Sequence, residues 1–345
     1  MSTLMEGLRV ILEPQDEYCH PPDAAKNYNE SMYFNVFDPA KQIGGWFRIG
    51  NRVNEGYAEM SVCLYLPDGR VGFMFNRPKI DSNDELNAGG LRIEVVEPFK
   101  RLRVTYDGKI LLLNDPLEMA HPSRAFKNNS LVDCKVALDY RGIAPMYGGR
   151  PVRADGTEIV IDPEKSFAKA HYEQHVAAAG SFEIGGQRWA VDGFGLRDKS
   201  WGPRYWQSIT WYRWLPMNFG ADFAMMVSLI GSDDGSVRRS GMVLRNGEYV
   251  MIKDARIESE WDAHWYQTKL KAWAKTDERE YEVHGKVISM IPLRNRRTRD
   301  DGSELVTRIT EGMTEYRCDG KTGYGLSEYL DQIVDGKPLG PDVKS

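Results

Sequence analysis

The chain has 345 residues, more than one hydrophobic core usually organises, so we expect two domains. Apolar residues make up 41% and charged residues 28%, a balance typical of a soluble globular protein. The net charge of −5 argues against nucleic acid as the partner, because phosphate binding needs a basic surface.

The N-terminal sequence and the cysteine spacing indicate the cellular location and exclude some kinds of structural site. The N terminus lacks a basic region followed by an apolar run, and no window approaches 18 apolar residues, so we expect a cytoplasmic protein without a membrane span. The cysteines show no CxxC spacing, which argues against a disulfide framework and a structural zinc site; they are Cys19, Cys63, Cys134 and Cys318.

The first half of the chain reads as strands joined by turns. Residues 1–30 predict an irregular lead-in, and residues 31–150 predict a first domain whose turns include Pro67–Arg70 and Asp107-Gly108. The predicted strands are Ser31–Phe37, Gly45–Ile49, Tyr57–Leu66, Val71–Asn76, Leu91–Val96, Arg101–Tyr106, Lys109–Leu113 and Leu131–Tyr140. Asp115–Asn129 predicts a long loop. The series is typical of an antiparallel barrel or sandwich.

The second half repeats this plan. Residues 142–162 are rich in glycine and proline and predict the junction, so 151–345 form the second domain, with one short helix at Pro163–Lys169. Its predicted strands are His171–Val176, Gly180–Ile184, Gln187–Val191, Ile209–Leu215, Phe223–Ile230, Val237–Leu244, Glu248–Ile252, Ala255–Glu260, Lys269–Ala274, Tyr281–Met290 and Leu305–Tyr316. The segments GWFRIG…YLPDGRVGFMF and WYRWLP…IGSDDGSVRRSGMVL indicate a tandem duplication of one antiparallel β-barrel.

The stretch Gly193–Arg204, GFGLRDKSWGPR, combines charge with indole rings in a way that neither a solvated loop nor an ordinary core needs. Asp198 lies among cations, and Trp201 and Trp206 lie close by. This mixture is typical of a pocket with apolar walls and one polar end.

The block GxGxRDxSWGPRxW at Gly193–Trp206, with Glu173-Gln174 before it and Asp319–Glu328 after it, resembles the AttH-like group, the hydroxyneurosporene synthase (carotenoid 1,2-hydratase) superfamily. The resemblance implies an all-β chain of two tandem lipocalin-like (calycin-type) barrels with very little helix, each open at one end around a hydrophobic pocket. It also implies cofactor-independent hydratases, isomerases or cyclases of polyene, terpenoid or polycyclic substrates. Where the family usually has His after the Asp, this chain has Lys199, which moves the acid/base role onto Asp198.

Adding water to an isolated alkene goes through a carbocation, which needs an acid, aromatic faces and walls that exclude water. Asp198 is the candidate acid. The candidate substrate-binding residues are Trp201, Trp206, Trp211, Tyr212, Arg204, Lys199, Tyr324 and Glu328. A structural interpretation stays open: Asp198 pairs with Arg197 or Arg204 and the tryptophans are core.

Two further groups carry alternatives. One group is His171, Glu173 and His175, which share one face if they lie in a strand. They are either polar residues at the barrel rim or ligands of a metal ion. A third interpretation makes His171 and Glu173 additional acid/base groups. Glu328 is either an ion-pair partner of Arg204 or Arg197, or a catalytic group beside Tyr324.

These patterns favour a cofactor-free lyase or isomerase (hydratase, dehydratase or cyclase) acting on a hydrophobic terpenoid, steroid or polycyclic substrate. The alternatives are a non-catalytic carrier of a hydrophobic small molecule and a metal-dependent enzyme. No cofactor is expected, because no phosphate-binding glycine loop occurs. The expected partner is the small molecule itself, with a homodimer as the one assembly considered.

Overall fold

The computed structural model describes residues 8–160, 162, 167–298, 302 and 304–340, and antiparallel strands dominate them. The all-β class is confirmed. Two hydrogen-bonded sheets account for the strands, one of 12 and one of 10. Within the described ranges, no helix is long and apolar enough to span a bilayer.

The strands of the first sheet are β1 (Leu8–Ile11), β2 (Tyr28–Asp38), β3 (Ile43–Arg52), β4 (Tyr57–Tyr65), β5 (Val71–Asn76), β6 (Leu86–Ala88), β7 (Leu91–Glu97), β8 (Arg101–Leu113), β9 (Ser130–Gly142), β10 (Tyr147–Arg153), β11 (Ala170–Ile184) and β12 (Gln187–Pro203). Eight of them form a closed ring in the order β11-β12-β2-β3-β4-β5-β8-β9, since β9 pairs back with β11. A closed ring has no free edges and is a β-barrel.

Apolar side chains fill the interior of this first barrel. Its core includes Phe34, Phe47, Val62, Leu138 and Phe182, each buried and drawn from a different strand of the ring. Side chains from at least five ring strands therefore form one apolar cluster inside this unit.

The N-terminal plug, which we define as residues 13–20, packs against polar side chains that point into this barrel. It contains a 3₁₀-helix, Pro14–Glu17, and the carboxylate of Glu17 is fully buried. The predicted irregular lead-in therefore includes an ordered segment. Other 3₁₀-helices are Val53–Glu55, Pro116–Ala120 and Trp206–Ser208, and the α-helix α1 is Pro122–Asn128.

The second sheet comprises β13 (Trp211–Gly220), β14 (Phe223–Gly231), β15 (Val237–Arg245), β16 (Glu248–Met251), β17 (Asp254–Trp261), β18 (Gln267–Lys275), β19 (Glu280–Thr298), β20 (Glu304–Cys318), β21 (Lys321–Val334) and β22 (Lys337–Pro338). Its order is β16-β15-β14-β13-β21-β20-β19-β18-β17, with β22 on β21. Val243 of β15 and Ile257 of β17 join the same core cluster as Leu215 of β13, so the sheet curves around one apolar interior.

The chain divides into two compact units. The first comprises 1–114 and 129–208, and the second comprises 115–128 and 209–345. The division lies near residue 208, later than the boundary near 150 that the sequence suggests, because β11 and β12 pair with β9 and β2 of the first barrel. The tandem duplication itself stays a prediction.

Several local predictions need correction. Asp107-Gly108 is no turn: β8 runs straight through it, because β9 pairs with β8 from Arg101 to Leu112. The predicted loop Asp115–Asn129 contains a 3₁₀-helix and α1. The two strands predicted over 171–184 are one long strand, β11. The helix predicted at Pro163–Lys169 falls largely outside the described residues. The hairpin turn at Asn246-Gly247 is confirmed, with φ of 50° and 86°.

Candidate functional site

Strand geometry divides the GFGLRDKSWGPR stretch between two faces. It lies in β12, where successive side chains alternate. Arg197 and Lys199 lie opposite Phe34 and Met32 of the barrel core, so they point inward. Asp198 and Ser200 point to the outer face. The cations Arg197 and Lys199 therefore lie inside the barrel, whereas the carboxylate of Asp198 lies on its outer face.

Arg197 forms a buried ion pair with the plug. Its Nη1 and Nη2 donate to Glu17 Oε1 and Oε2 at 2.6 and 2.8 Å, and its Nε donates to Gln174 Oε1 at 2.9 Å. Burial alone would raise the pKa of Glu17, but the charge and hydrogen bonds of Arg197, together with the Tyr172 hydroxyl, lower it. Arg197 is thus neither the partner of Asp198 nor that of Glu328.

Lys199 is not a substrate-binding residue. Its side chain is fully buried, and Nζ lies 2.6 Å from Glu30 Oε1 while donating to the backbone carbonyls of Asp16 at 2.8 Å and Tyr18 at 2.6 Å. These three contacts use all the donors of an ammonium group. The lysine at the family's histidine position therefore anchors the plug.

Trp201 also belongs to the inner face. Its ring stacks on His20 of the plug, with centroids 4.1 Å apart, and it packs with Tyr172 and Ala170. Only 5% of Trp201 is exposed. It does not form a wall beside Asp198, because the two side chains lie on opposite faces of β12.

On the outer face, strand register aligns polar side chains in two rows. Both rows cross the strands β11, β12, β2 and β3 in that order. The first row consists of Glu173, Asp198, Tyr33 and Arg48, and the second consists of His171, Ser200, Ser31 and Gly50. We call these residues the outer-face site. Directly opposed residues have Cβ atoms about 5 Å apart, so the arrangement gathers acids, bases and hydroxyls on one surface.

Asp198 and His171 form the accessible pair of this site. Asp198 Oδ2 lies 3.9 Å from His171 Nε2, and their side chains are 25% and 46% exposed. Partial desolvation by the surrounding side chains disfavours the charged imidazole, but the hydrogen bond with Asp198 and the charges of Glu173 and Asp198 outweigh it and raise the pKa of His171. The three predicted catalytic residues are thus neighbours, and the Asp198–arginine pair considered from sequence does not form.

Arg204 and Trp206 border the same face. Arg204 is buried, its Nη2 donates to Ser200 Oγ at 2.5 Å, and its guanidinium carbon lies 4.0 Å from the Phe167 ring and 5.2 Å from the Trp206 ring. Arg48 approaches the same indole at 5.5 Å. Trp206 lies in a 3₁₀-helix and not in a strand.

The metal interpretation is not supported by the geometry. His171, Glu173 and His175 do share one face of β11, as the spacing predicts. No cluster of three or more His, Cys, Asp or Glu side chains in the described part of the chain is arranged to hold a metal ion. An extended strand separates the first and last of these side chains by about 13 Å, too far for one ion.

The remaining candidates belong to the second unit. Trp211 is core: it is 5% exposed and packs inside with Arg213, whose guanidinium pairs with Asp331 at 3.0 Å. Tyr212, on the opposite face, donates a hydrogen bond to Glu328. Tyr324 donates to Glu315 Oε2 at 3.1 Å. An Arg204–Glu328 pair stays a prediction.

Sequence reasoning missed Tyr33, Arg48, Ser31 and Ser200. Each lies at a position whose side chain points to the outer face of its strand. The alternation of side chains between the two faces was already visible in the sequences SMYFNVF and GWFRI. Alternation does not state which strands are neighbours or in which register. The rows become apparent only once β12 is paired with β2.

A model of the family described as "Domain of unknown function (DUF7064)" matches residues 13–333. The chain belongs to this family. No curated protein matches the sequence of this DUF7064 chain.

Solved structures similar to the DUF7064 chain include a protein from Nitrosomonas europaea assigned to AttH, at a TM-score of 0.61 and 13% identity over 93% of this chain and 96% of that one. Kievitone hydratase from Nectria haematococca matches at 0.54 and 10%, over 93% of each chain. CghA matches at 0.51 and 12%, over 96% and 99%. These likenesses confirm the AttH-like, lipocalin-type fold.

Proposed function

We propose that the protein is a cofactor-independent lyase or isomerase that moves protons on a hydrophobic, unsaturated terpenoid, steroid or polycyclic substrate. The observation that carries the proposal is the Asp198–His171 pair, accessible and next to the buried Glu173. Similarity to kievitone hydratase supports the reaction class.

The two groups suit opposite halves of a proton transfer. The raised pKa keeps the His171 imidazole protonated to a higher pH than an ordinary histidine, so it can donate a proton to carbon. The Asp198 carboxylate can accept a proton from attacking water in a hydration, or from a carbon in an isomerisation. Trp206 and Phe167 supply apolar surface beside them.

The test uses solvent deuterium. The protein is incubated in D2O with a panel of unsaturated terpenoids, steroids and polycyclic compounds, and mass spectrometry measures deuterium incorporation or added water. We expect exchange with at least one compound class, and Asp198→Asn to slow it about 100-fold or more. The matched control is Asp192→Asn, an exposed carboxylate on the same strand and the same face, which keeps the wild-type rate.

Two results would overturn the proposal. Equal rates for Asp198→Asn and wild type would remove Asp198 from the chemistry. Tight binding of a panel compound, with neither exchange nor water addition after prolonged incubation, would identify a carrier protein instead.

A further inference from the structure

Arg204 places a buried cation in a defined position at the border of the outer-face site. Only 5% of the residue is exposed. Its backbone N–H donates to the Asn27 carbonyl at 2.9 Å, and the Asn27 side-chain amide donates to the Arg204 carbonyl at 3.2 Å. The rings of Phe167 and Trp206 pack against the guanidinium and meet each other edge-on, with centroids 5.4 Å apart. Both the backbone and the side chain of Arg204 are thus held in place.

Ser200 connects this cation to His171. Arg204 Nη2 donates to Ser200 Oγ at 2.5 Å, and a second hydrogen bond joins Ser200 Oγ to Ser31 Oγ at 3.0 Å. Ser200 lies directly opposite His171 in the pairing of β12 with β11. Side chains opposed in this way have Cβ atoms about 5 Å apart. The guanidinium is therefore tethered to the residue that faces the imidazole.

The charges around His171 act in opposite directions. The carboxylates of Asp198 and Glu173 favour the imidazolium and raise its pKa, whereas the charge of Arg204 disfavours the imidazolium and lowers it. Asp198 belongs to the neighbouring strand β12 and Glu173 to the strand of His171 itself. The imidazole thus titrates between two anions and one tethered cation.

The other elements beside His171 leave this balance in place. Strand β10 pairs with β11 and presents Gly149 directly opposite His171, so this position brings no charge. Lys169 lies two residues before His171, and its Nζ is paired with Glu158 Oε2 at 2.9 Å. The charge of Lys169 is therefore compensated locally.

A general acid works best when its pKa lies near the working pH. Two carboxylates alone would make the His171 imidazolium hold its proton more tightly and donate it to carbon more slowly. A tethered guanidinium destabilises the same imidazolium, and the repulsion ends when the proton has left the ring. The Arg204–Ser200 contact therefore offsets the effect of the carboxylates.

We infer that Arg204 is a positioning residue for His171: its guanidinium, held at Ser200, repels the imidazolium and promotes transfer of the proton to the substrate. This rests on the proposed function, which supplies the use of the proton. In the transfer an imidazolium N–H bond breaks, the alkene π electrons form the new C–H bond, and His171 becomes neutral. The positive charge passes to the substrate until Asp198 accepts a proton from the water that adds, or from a neighbouring carbon.

The test is an NMR titration of the His171 imidazole in the protein without substrate, with the signal assigned through His171→Gln. Arg204→Gln removes the charge but keeps a donor for Ser200, and should raise the pKa of His171 by about 0.5 to 1. Arg204→Lys keeps the charge and should restore most of the difference. The control is Arg77→Met, which removes a 52% exposed cation paired with Glu59 and should leave the titration unchanged.

A second variant covers loss of folding. If circular dichroism shows that Arg204→Gln does not fold, Ser200→Ala decides, because it keeps the cation but removes its tether and should shift the titration of His171 as well. An unchanged His171 titration in folded Arg204→Gln, or in Ser200→Ala where it decides, overturns the inference.

Deuterium exchange into the substrate separates this inference from the proposed function. Arg204→Gln should slow the exchange about threefold and move its pH profile to higher pH, following the titration of His171. An unchanged rate and pH profile would overturn the inference alone. A shifted His171 titration without any exchange in wild type would count against the proposed function, and not against the action of Arg204 on His171.

Discussion

At the scale of the residue, Lys199 shows how one side chain can be misjudged from its neighbours in sequence. It follows Asp198 directly, and the sequence therefore suggests one shared pocket. The strand sends the two side chains to opposite faces, and Lys199 meets Glu30 inside the barrel at 2.6 Å. An ammonium with three donors fits three acceptors there, which a histidine could not match.

Replacing Lys199 with Met should therefore destabilise the protein strongly. The substitution leaves the Glu30 carboxylate buried without its cation, which costs about 3–5 kcal/mol. Urea denaturation followed by circular dichroism measures the loss. Adding Glu30→Gln to this variant should recover part of it. Lys41→Met serves as the control, because Lys41 is 45% exposed in its pair with Asp38 and should cost less than about 1 kcal/mol. If Lys199→Met lowers the free energy of unfolding no more than Lys41→Met does, this account is contradicted.

At the scale of the element, strand existence was predictable and strand pairing was not. Alternation and turn residues located β4, β5 and the Asn246-Gly247 hairpin. They could not show that Asp107-Gly108 lies within β8, because the pairing with β9 decides the backbone there. The plug was similarly hidden. Prolines suggested irregular chain, whereas its order comes from the ion pair of Glu17 with Arg197 of β12, from the Lys199 Nζ donations to its carbonyls, and from the contact of His20 with Glu30 of β2.

Acid should release the N-terminal plug. Burial would raise the pKa of Glu30, but the hydrogen bond with His20 and the charge of Lys199 lower it, and the pKa of Glu17 is lowered as well. A carboxyl group whose pKa is depressed in the folded state stabilises it above the unfolded pKa, near 4.5, and loses that contribution as pH falls through the folded value. The plug should therefore stay docked at neutral pH and lose stability progressively as the pH falls below about 4.5.

Hydrogen–deuterium exchange of the amides of residues 13–20, corrected for intrinsic rates, measures this opening. Glu17→Gln imitates protonation and should raise exchange in the plug at neutral pH. Gln15→Glu, at an exposed position of the same 3₁₀-helix, is the control and should not. Equal protection of the plug at pH 3 and pH 7 would show that the carboxylates do not hold it.

At the scale of the whole molecule, the family resemblance predicted the fold, while the limits of the two units had to come from the structure. The resemblance rests on about thirty residues, yet the likeness to AttH covers 93% of the chain. The glycine- and proline-rich stretch 142–162 suggested a junction because such composition is typical of linkers. Here it lies inside the first unit, between strands β9 and β11 that pair with each other.

We expect a fragment to fold cooperatively when it contains every strand of the closed ring, and not when it ends at the glycine- and proline-rich stretch. A fragment of residues 1–208 contains all eight ring strands, so we expect one cooperative urea transition and slow amide exchange in β2 and β9. A fragment of residues 1–150 lacks β11 and β12, which removes Phe182 and Val176 from the core and leaves β2 and β9 as free edges. Free edges and an open apolar interior favour aggregation. A cooperative transition for 1–150, or its absence for 1–208, would mean that the ring is not the folding unit.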